Sequence, residues 1–212
     1  MKQGLNEAAV YSALPTMSKR LPRARASRPG RSTSRRRRSL GQHFLSNKAA
    51  ARSIVERFSP GPGELIIEIG PGRGALTDLL IEAGARVVAV EVDPRLAKTL
   101  AIRHADAAGF RLVQNDILAC DIAGLCAGEP ARVLANIPYS ITGELIVKLL
   151  LSSPPLTAMT LMVQKEVADR VVAAPGGRTY GSLSVLAQYF TNPRAVMTLR
   201  PGSFTTTQSL RA

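Results

Sequence analysis

The chain has 212 residues, 45% of them hydrophobic, and its mean hydropathy is close to zero. This length and composition exclude a fibrous chain and allow one domain with a sizeable buried core. No apolar run reaches the roughly 18 to 20 residues needed to cross a bilayer, and no apolar signal-peptide core is present, so we expect a soluble, cytoplasmic protein.

The net charge of +13 is concentrated near the N-terminus. Residues 1–40 hold two Lys and nine Arg against Glu7 alone, which is +10 and leaves the rest of the chain only mildly basic. Residues 18–39 are mainly Arg, Ser and Pro and cannot bury enough surface to fold. We therefore predict a disordered Arg-rich arm over residues 1–39. Four interpretations of the arm stay open: an electrostatic tether to RNA phosphates, a solvated tail, the product of a start codon placed too early, or a transit peptide.

After the arm, apolar β-branched runs alternate with helical patterns. Runs such as residues 87–90 are apolar at successive positions, as strands buried on both faces of a parallel sheet are. The pattern predicts an open, doubly wound α/β sheet, in which ligands bind beyond the carboxyl ends of the strands. The predicted strands are 65–69, 86–91, 110–115, 132–135, 158–164 and 195–199, and the predicted helices are 75–82, 94–105, 142–151, 165–173 and 183–190.

The first three strands end in residues that suit a nucleoside. Gly70 and Gly72 let the backbone turn tightly beside a ligand, although the same glycines fit a dinucleotide motif or a turn without a ligand. Glu91 ends the second strand, where a carboxylate can accept hydrogen bonds from both ribose hydroxyls of NAD or of S-adenosylmethionine. Asp116 follows the third strand and either accepts from an adenine amine or caps a helix.

The fourth strand runs directly into Asn136, Ile137, Pro138 and Tyr139. Methylation of an aromatic amine depends mainly on orientation of the nitrogen lone pair. The Asn136 side-chain oxygen can accept one amine hydrogen and a backbone carbonyl near Pro138 the other, while Tyr139 can stack on a flipped base. These residues favour methylation of the exocyclic amine of adenine. An ordinary turn with a buried tyrosine remains an alternative, and an NAD-dependent oxidoreductase leaves the four residues unexplained.

Cys120 and Cys126 have no other plausible metal ligand nearby in the sequence. We interpret them as reduced thiols and expect no metal ion and no disulfide framework.

Residues 41 to about 204 resemble the ribosomal RNA adenine dimethyltransferases, which modify two adjacent adenines near the 3′ end of small-subunit RNA. The resemblance implies a Rossmann-like methyltransferase domain with a doubly wound, mostly parallel seven-stranded sheet, placed at residues 40–204. It further implies S-adenosylmethionine as cofactor and 16S rRNA in the 30S particle as partner, and we expect a monomer that does not bind a membrane. The segments that carry it are 41–45, 68–74, 91–93, 136–139, 164–170 and 180–185.

The resemblance also implies roles for individual residues. His43 stands where the family usually has asparagine, and it could instead cap the following helix. Phe204 is expected to face the target base. The implied cofactor-binding residues are His43, Leu45, Gly70, Glu91, Asp116 and Asn136, with Gly72 added from the glycine loop, and the implied catalytic residues are Asn136, Pro138, Tyr139 and Phe204.

Beyond Phe204 the chain departs from the family, which continues with Pro-Pro-Pro-Lys-Val and a small helical domain. Residues 205–212 are predicted to be an aberrant tail, and because their codons can encode Pro-Pro-Pro-Lys-Val one base later, we interpret the ending as a frameshift. Two alternatives stay open. One is a macrolide-resistance type methyltransferase acting on 23S rRNA, and the other is a non-catalytic RNA-binding ribosome-assembly factor.

Overall fold

A seven-stranded sheet carries helices on both of its faces in the computed structural model, which describes residues 8–15, 43–152 and 156–206. The strands are β1 (Ala8–Pro15), β2 (His43–Leu45), β3 (Leu65–Ile69), β4 (Arg86–Glu91), β5 (Phe110–Gln114), β6 (Ala131–Asn136), β7 (Leu156–Gln164), β8 (Thr191–Leu199) and β9 (Phe204–Thr206). The helices are α1 (Lys48–Phe58), α2 (Thr77–Glu82), α3 (Pro94–Arg103), α4 (Ile122–Cys126), α5 (Thr142–Leu151), α6 (Lys165–Val171) and α7 (Ser182–Phe190).

The strand order of the large sheet is β5-β4-β3-β6-β7-β1-β8. The five strands from β5 to β7 are parallel to one another, whereas β1 is antiparallel to both β7 and β8. A second, two-stranded sheet pairs β2 with β9, and places Leu45 opposite Phe204. The predicted fold class, a mostly parallel seven-stranded sheet of the Rossmann-like type, is confirmed.

The central strands form because apolar residues at successive positions can be buried on both faces. Ile66 and Ile67 of β3 are both fully buried, but they belong to different hydrophobic clusters, one on each face of the sheet. Burial of one such side chain stabilises the fold by about 1.5 to 3 kcal/mol. Helices α4 to α7 contribute to one cluster, and α1 with α2 to the other.

Helix caps determine where the chain turns away from the sheet. The Asn47 side chain accepts a hydrogen bond from the Ala50 amide and begins α1, and Asp93 accepts from the Arg95 amide at 2.9 Å and begins α3. Pro94 occupies the first turn of α3, where its missing N–H costs nothing. Among the helices of the described ranges, none is long and apolar enough to cross a membrane.

Residues 8–15 correct the predicted boundary of the arm. They form β1, which lies inside the sheet with ladders on both sides, and Val10 is only 1% exposed. The segment is a strand because Val10 packs in the cluster that contains Met162 and Leu199. Residues 18–39 lie outside the described residues.

The predicted start of the tail is corrected as well. Thr205 and Thr206 belong to β9, where they pair with Phe44 and His43 of β2, so the folded domain extends to residue 206. Residues 207–212 lie outside the described residues.

Candidate active site at the carboxyl edge of the sheet

The carboxyl ends of the parallel strands border one open cavity. His43 lies in β2, but its side chain is outside what the structure describes. The cavity is lined by nine of the ten predicted site residues: Leu45, Gly70, Gly72, Glu91, Asp116, Asn136, Pro138, Tyr139 and Phe204.

The glycine loop after β3 passes so close to its neighbours that side chains cannot be added. Gly70 has a φ of 68°, and a Cβ atom there would lie 2.7 Å from the Asn136 carbonyl oxygen. Gly72 has a φ of 58°, and its Cβ would lie 3.0 Å from the ring of Phe44. Because both positions combine positive φ with a close contact, only glycine brings this loop against the tip of β6 and against β2.

Glu91 lies at the end of β4 and is only 4% exposed. Its Oε2 accepts a hydrogen bond from the Gly72 amide at 3.1 Å, and its Oε1 accepts from the Asp93 amide at 2.9 Å. Burial raises the pKa of this carboxyl, and the backbone amides oppose the shift. Each oxygen keeps a second lone pair, so the carboxylate can also accept from hydroxyl groups of a ligand in the cavity.

Asp116 lies in the turn between β5 and α4 and begins no helix, so it is not the helix cap that the sequence allowed. Its carboxylate Oδ1 accepts from the Leu118 amide within this turn, at 2.9 Å. Its own amide donates to the Asn115 side-chain oxygen at 2.8 Å, and Asn115 and Asp116 both line the cavity. The local hydrogen bonds thus fix the side chain at the edge of the cavity, where the second carboxylate oxygen can serve a ligand.

The segment from Asn136 to Tyr139 leaves β6 at the centre of the cavity wall. The Ile137 amide donates to the Met162 carbonyl of β7 at 3.2 Å, and Pro138 has a φ of −59° and a ψ of 138°. The Pro138 carbonyl accepts from the Ile141 amide at 3.2 Å and from the Thr142 hydroxyl at 3.1 Å. Hydrogen bonds to β7 and to residues that follow the turn therefore fix its conformation. The Pro138 carbonyl already accepts two of these bonds.

Tyr139 is half-buried, and burial, followed by the negative charge of Glu166, raises the pKa of its phenol. The side chain is consequently neutral at physiological pH and offers a ring face rather than a charge. Phe204 of β9 also lines the cavity. It is held there by the β2–β9 ladder and by the Ser203 carbonyl, which accepts from the Ser46 amide at 2.9 Å.

Three residues near the cavity were not predicted as functional. Glu68 is fully buried beneath the glycine loop, accepts from the Thr77 hydroxyl at 2.7 Å, and burial raises its pKa to about 8. The sequence signal for Glu68 was an acidic residue inside the apolar run of β3. Thr142 and Lys148 of α5 gave no such signal, because both donate to backbone carbonyls. Thr142 donates to the preceding turn, and Lys148 donates to residues that are distant in sequence. No cluster of metal-binding side chains occurs within the described ranges.

Comparison with known proteins agrees with this geometry. Residues 33–209 match the family model described as ribosomal RNA adenine dimethylase. This chain belongs to the ribosomal RNA adenine dimethylase family. Its relatives include the ribosomal RNA small subunit methyltransferases A of Acidobacterium capsulatum, 42% identical over 78% of this chain, and of Caulobacter vibrioides, 45% identical over 80%. The chain spans only 59% and 66% of the length of these two relatives.

Two solved structures support the same placement. A dimethyladenosine transferase from Plasmodium falciparum superimposes with a TM-score of 0.62 at 28% identity, covering 69% of this chain and 52% of that one. The 23S rRNA methyltransferase ErmE superimposes with a TM-score of 0.56 at 30% identity, covering 63% of this chain and 52% of that one. The resemblance to the adenine dimethylase family that the sequence motifs indicate is thus confirmed.

Proposed function

We propose that this adenine dimethylase family member transfers methyl groups from S-adenosylmethionine to N6 of adenine in small-subunit ribosomal RNA, two per adenine, on two adjacent adenines. The observation that carries the proposal is the convergence of two groups of residues on one cavity. Glu91 and Asp116 suit a nucleoside, and Asn136 with Tyr139 suits a flipped base.

The residues of the cavity fit S-adenosylmethionine. Gly70 and Gly72 allow their loop to approach the tip of β6 and the ring of Phe44 at the wall of the cavity, and backbone amides fix the Glu91 carboxylate there. Glu91 would accept from the ribose hydroxyls and Asp116 from the adenine amine of the cofactor, while Leu45 would contact it from the β2 side. When bound, S-adenosylmethionine supplies an electrophilic methyl group on its sulfonium sulfur.

The chain's own contribution is to orient the target amine. The Asn136 side-chain oxygen would accept one N–H of adenine N6. Because the Pro138 carbonyl already accepts two hydrogen bonds, we assign the second N–H to the Ile137 carbonyl, at the preceding residue. With both hydrogens held, the nitrogen lone pair is directed toward the methyl donor, and the proton released after transfer goes to solvent. Tyr139 and Phe204 would contact the faces of the base.

The RNA is assigned to the small subunit because the relatives from A. capsulatum and C. vibrioides carry that function in their names. A second candidate is methylation of 23S rRNA, and the observation that favours it is the likeness to ErmE at 30% identity. Two segments favour the small-subunit assignment: residues 164–166 and residues 180–181.

The two candidates differ in substrate and can be separated by one experiment. The purified chain is incubated with radiolabelled S-adenosylmethionine and either unmethylated 30S particles or protein-free 23S rRNA, and the RNA is digested to nucleosides. We expect N6,N6-dimethyladenosine from the 30S particles alone, and 30S particles already dimethylated serve as the control. Label in 23S rRNA would favour the second candidate. A chain that binds 30S particles but transfers no label would be a non-catalytic assembly factor.

A further inference from the structure

Helix α5 contacts two turns that border the cavity through two polar side chains. At its first residue, the Thr142 hydroxyl donates to the Pro138 carbonyl at 3.1 Å, beneath the proposed base-binding turn. Six residues later, which is about 9 Å along the helix, the Lys148 ammonium donates to the carbonyls of Leu118 and Cys120 at 2.7 and 2.6 Å. The helix therefore joins the turn after β6 to the turn after β5.

The turn after β5 connects Lys148 to Asp116 through a single residue. Lys148 bonds the carbonyl of Leu118, and the amide of Leu118 donates to the Asp116 carboxylate at 2.9 Å. The Asp116 carbonyl closes the turn by accepting from the amides of Ala119 and Cys120. An ammonium group that bonds the free carbonyls of a turn is favourable, since its charge opposes theirs. Removal of the ammonium group would release the turn that orients Asp116.

We propose that Lys148 is a positioning residue that sets the selectivity of the cavity for an adenine nucleoside through Leu118 and Asp116. The inference rests on the proposed function, in which Asp116 accepts from the amine of the cofactor's adenine. Unsubstituted purine has a hydrogen atom in place of that amine and keeps the N1 acceptor of adenine, so it offers Asp116 no donor and changes no other polar group of the base. Lys148 does not line the cavity. Its effect is on where the Asp116 carboxylate lies.

The test compares two ligands that differ only at this position, S-adenosylhomocysteine and its analogue with unsubstituted purine in place of adenine, by titration calorimetry on the full chain. For the unmodified protein we expect the adenosyl ligand to bind about 10- to 100-fold more tightly, the range for a lost buried hydrogen bond. Lys148→Met keeps the length of the side chain and removes its donors. We expect the preference to fall below about 5-fold in this variant, mainly through weaker binding of the adenosyl ligand.

Two further variants separate positioning from a general loss of structure. Lys148→Arg keeps cationic donors and should retain most of the preference. Thr142→Val removes the hydroxyl at the other end of α5, so it should slow methyl transfer and leave the ratio of the two affinities unchanged. Melting temperatures show which variants fold. If Lys148→Met does not fold, Lys148→Gln, whose amide donors are uncharged and on a shorter side chain, should give an intermediate ratio.

The remaining outcomes are decisive as well. An equal loss of affinity for both ligands in Lys148→Met would mean that Lys148 only stabilises the fold, and an unchanged ratio would mean that it does not act on Asp116; either result overturns the inference. If the unmodified protein binds both ligands equally, Asp116 does not accept a hydrogen bond from the amine. The inference then fails while the proposed function stands. If it binds neither ligand, the proposed function itself fails.

Discussion

The two halves of the large sheet are assembled from the chain in different ways. Strands β3, β4, β5 and β6 lie side by side, all come from residues 65–136, and are connected by parallel crossovers. In the other half, β7 and β8 do not pair with each other, because β1 lies between them and precedes β7 by more than 140 positions. The first half supplies most of the proposed cofactor-binding residues. The second half contributes Met162 and Val163 of β7 to the cavity wall, and β7 pairs with a strand that is distant in sequence.

The largest effect is expected where β1 enters the second half. Val10→Asp places an unpaired carboxylate at a site that is 1% exposed, between Met162 and the residues of β8. We expect a loss of about 4 kcal/mol or more in the free energy of unfolding, since burial of an unpaired charge is among the costliest substitutions. Urea unfolding measures it, and Val10→Ile should cost less than about 1.5 kcal/mol.

Hydrogen exchange of the same variant tests whether the halves are separable. Amides of β7 and β8 should exchange faster in Val10→Asp, while those of β3 and β4 stay protected. Equal acceleration in all four strands would show that the sheet unfolds as one unit, and the distinction between the halves would be wrong.

Asn136→Ala should separate activity from stability in the first half. The substitution removes the proposed acceptor for the target amine, and we expect methyl transfer to 30S particles to fall about 100- to 1000-fold, as when an oriented polar group of an active site is lost. Binding of the RNA and the melting temperature should change little. Asn192→Ala, at an exposed position of β8, is the matched control and should keep full activity. Retained turnover in Asn136→Ala would contradict the assigned role.

Glu68 should make the stability of the first half depend on pH. Burial raises the pKa of Glu68 from 4.5 to about 8, so between these values the folded state binds more protons than the unfolded state. The stabilisation is complete below about pH 4.5 and is lost as the pH rises through about 8. Glu68→Gln cannot titrate and mimics the protonated carboxyl. Its free energy of unfolding should exceed that of the unmodified chain by about 3 kcal/mol at pH 7, and the difference should vanish near pH 4.5.

Thermal unfolding at several pH values measures the Glu68 effect. Comparing the two chains at each pH cancels the other titrating groups, including Glu91. A difference that does not vary with pH would mean that Glu68 is ionised in the folded state.

The smallest effect is expected at Phe204, which reaches the cavity from β9. Phe204→Ala removes a ring that would stack on the target base, and we expect KM for the 30S particle to rise about 10-fold, at the lower part of the range for base–aromatic stacking. Affinity for S-adenosylhomocysteine should change little, because Glu91 and Asp116, which are proposed to bind its nucleoside, lie at the ends of β4 and β5. Phe204→Tyr keeps the ring and should behave like the unmodified chain. Loss of cofactor affinity in Phe204→Ala would mean that Phe204 and the nucleoside-binding residues Glu91 and Asp116 do not act independently.

The sequence predicted the first half closely because each strand there has its own local signal. The bounds of β3 and β4 match the predicted ranges, since runs of apolar residues buried on both faces are followed at once by a glycine loop or a capped helix. The residues that end β3, β4 and β6 line the cavity as predicted, because parallel strands bring their carboxyl ends to one edge.

The sequence did not predict β1, because nothing local distinguishes it. Its residues are mostly small and precede an Arg-rich stretch, and they form a strand only because β7 and β8 leave space for one. The contacts of Lys148 were missed for a related reason: a lysine on a helix is ordinarily solvated, and only the fold shows that two carbonyls lie within its reach. The role of Asp116 could be stated only as two alternatives; the helix cap is wrong, since Asp116 bonds the Leu118 amide within a turn, and the contact with an adenine amine stays a prediction.

The position of β1 has a consequence for the order of events during translation. β1 leaves the ribosome before the rest of the sheet, yet Val10 pairs with Met162, and Ala8 pairs with Leu199. At about 5 to 20 residues per second, this segment waits roughly 10 to 40 seconds for both partners. During that interval the strands of the first half can pair with one another, whereas β1 can enter the sheet only after β7 and β8 have been synthesised.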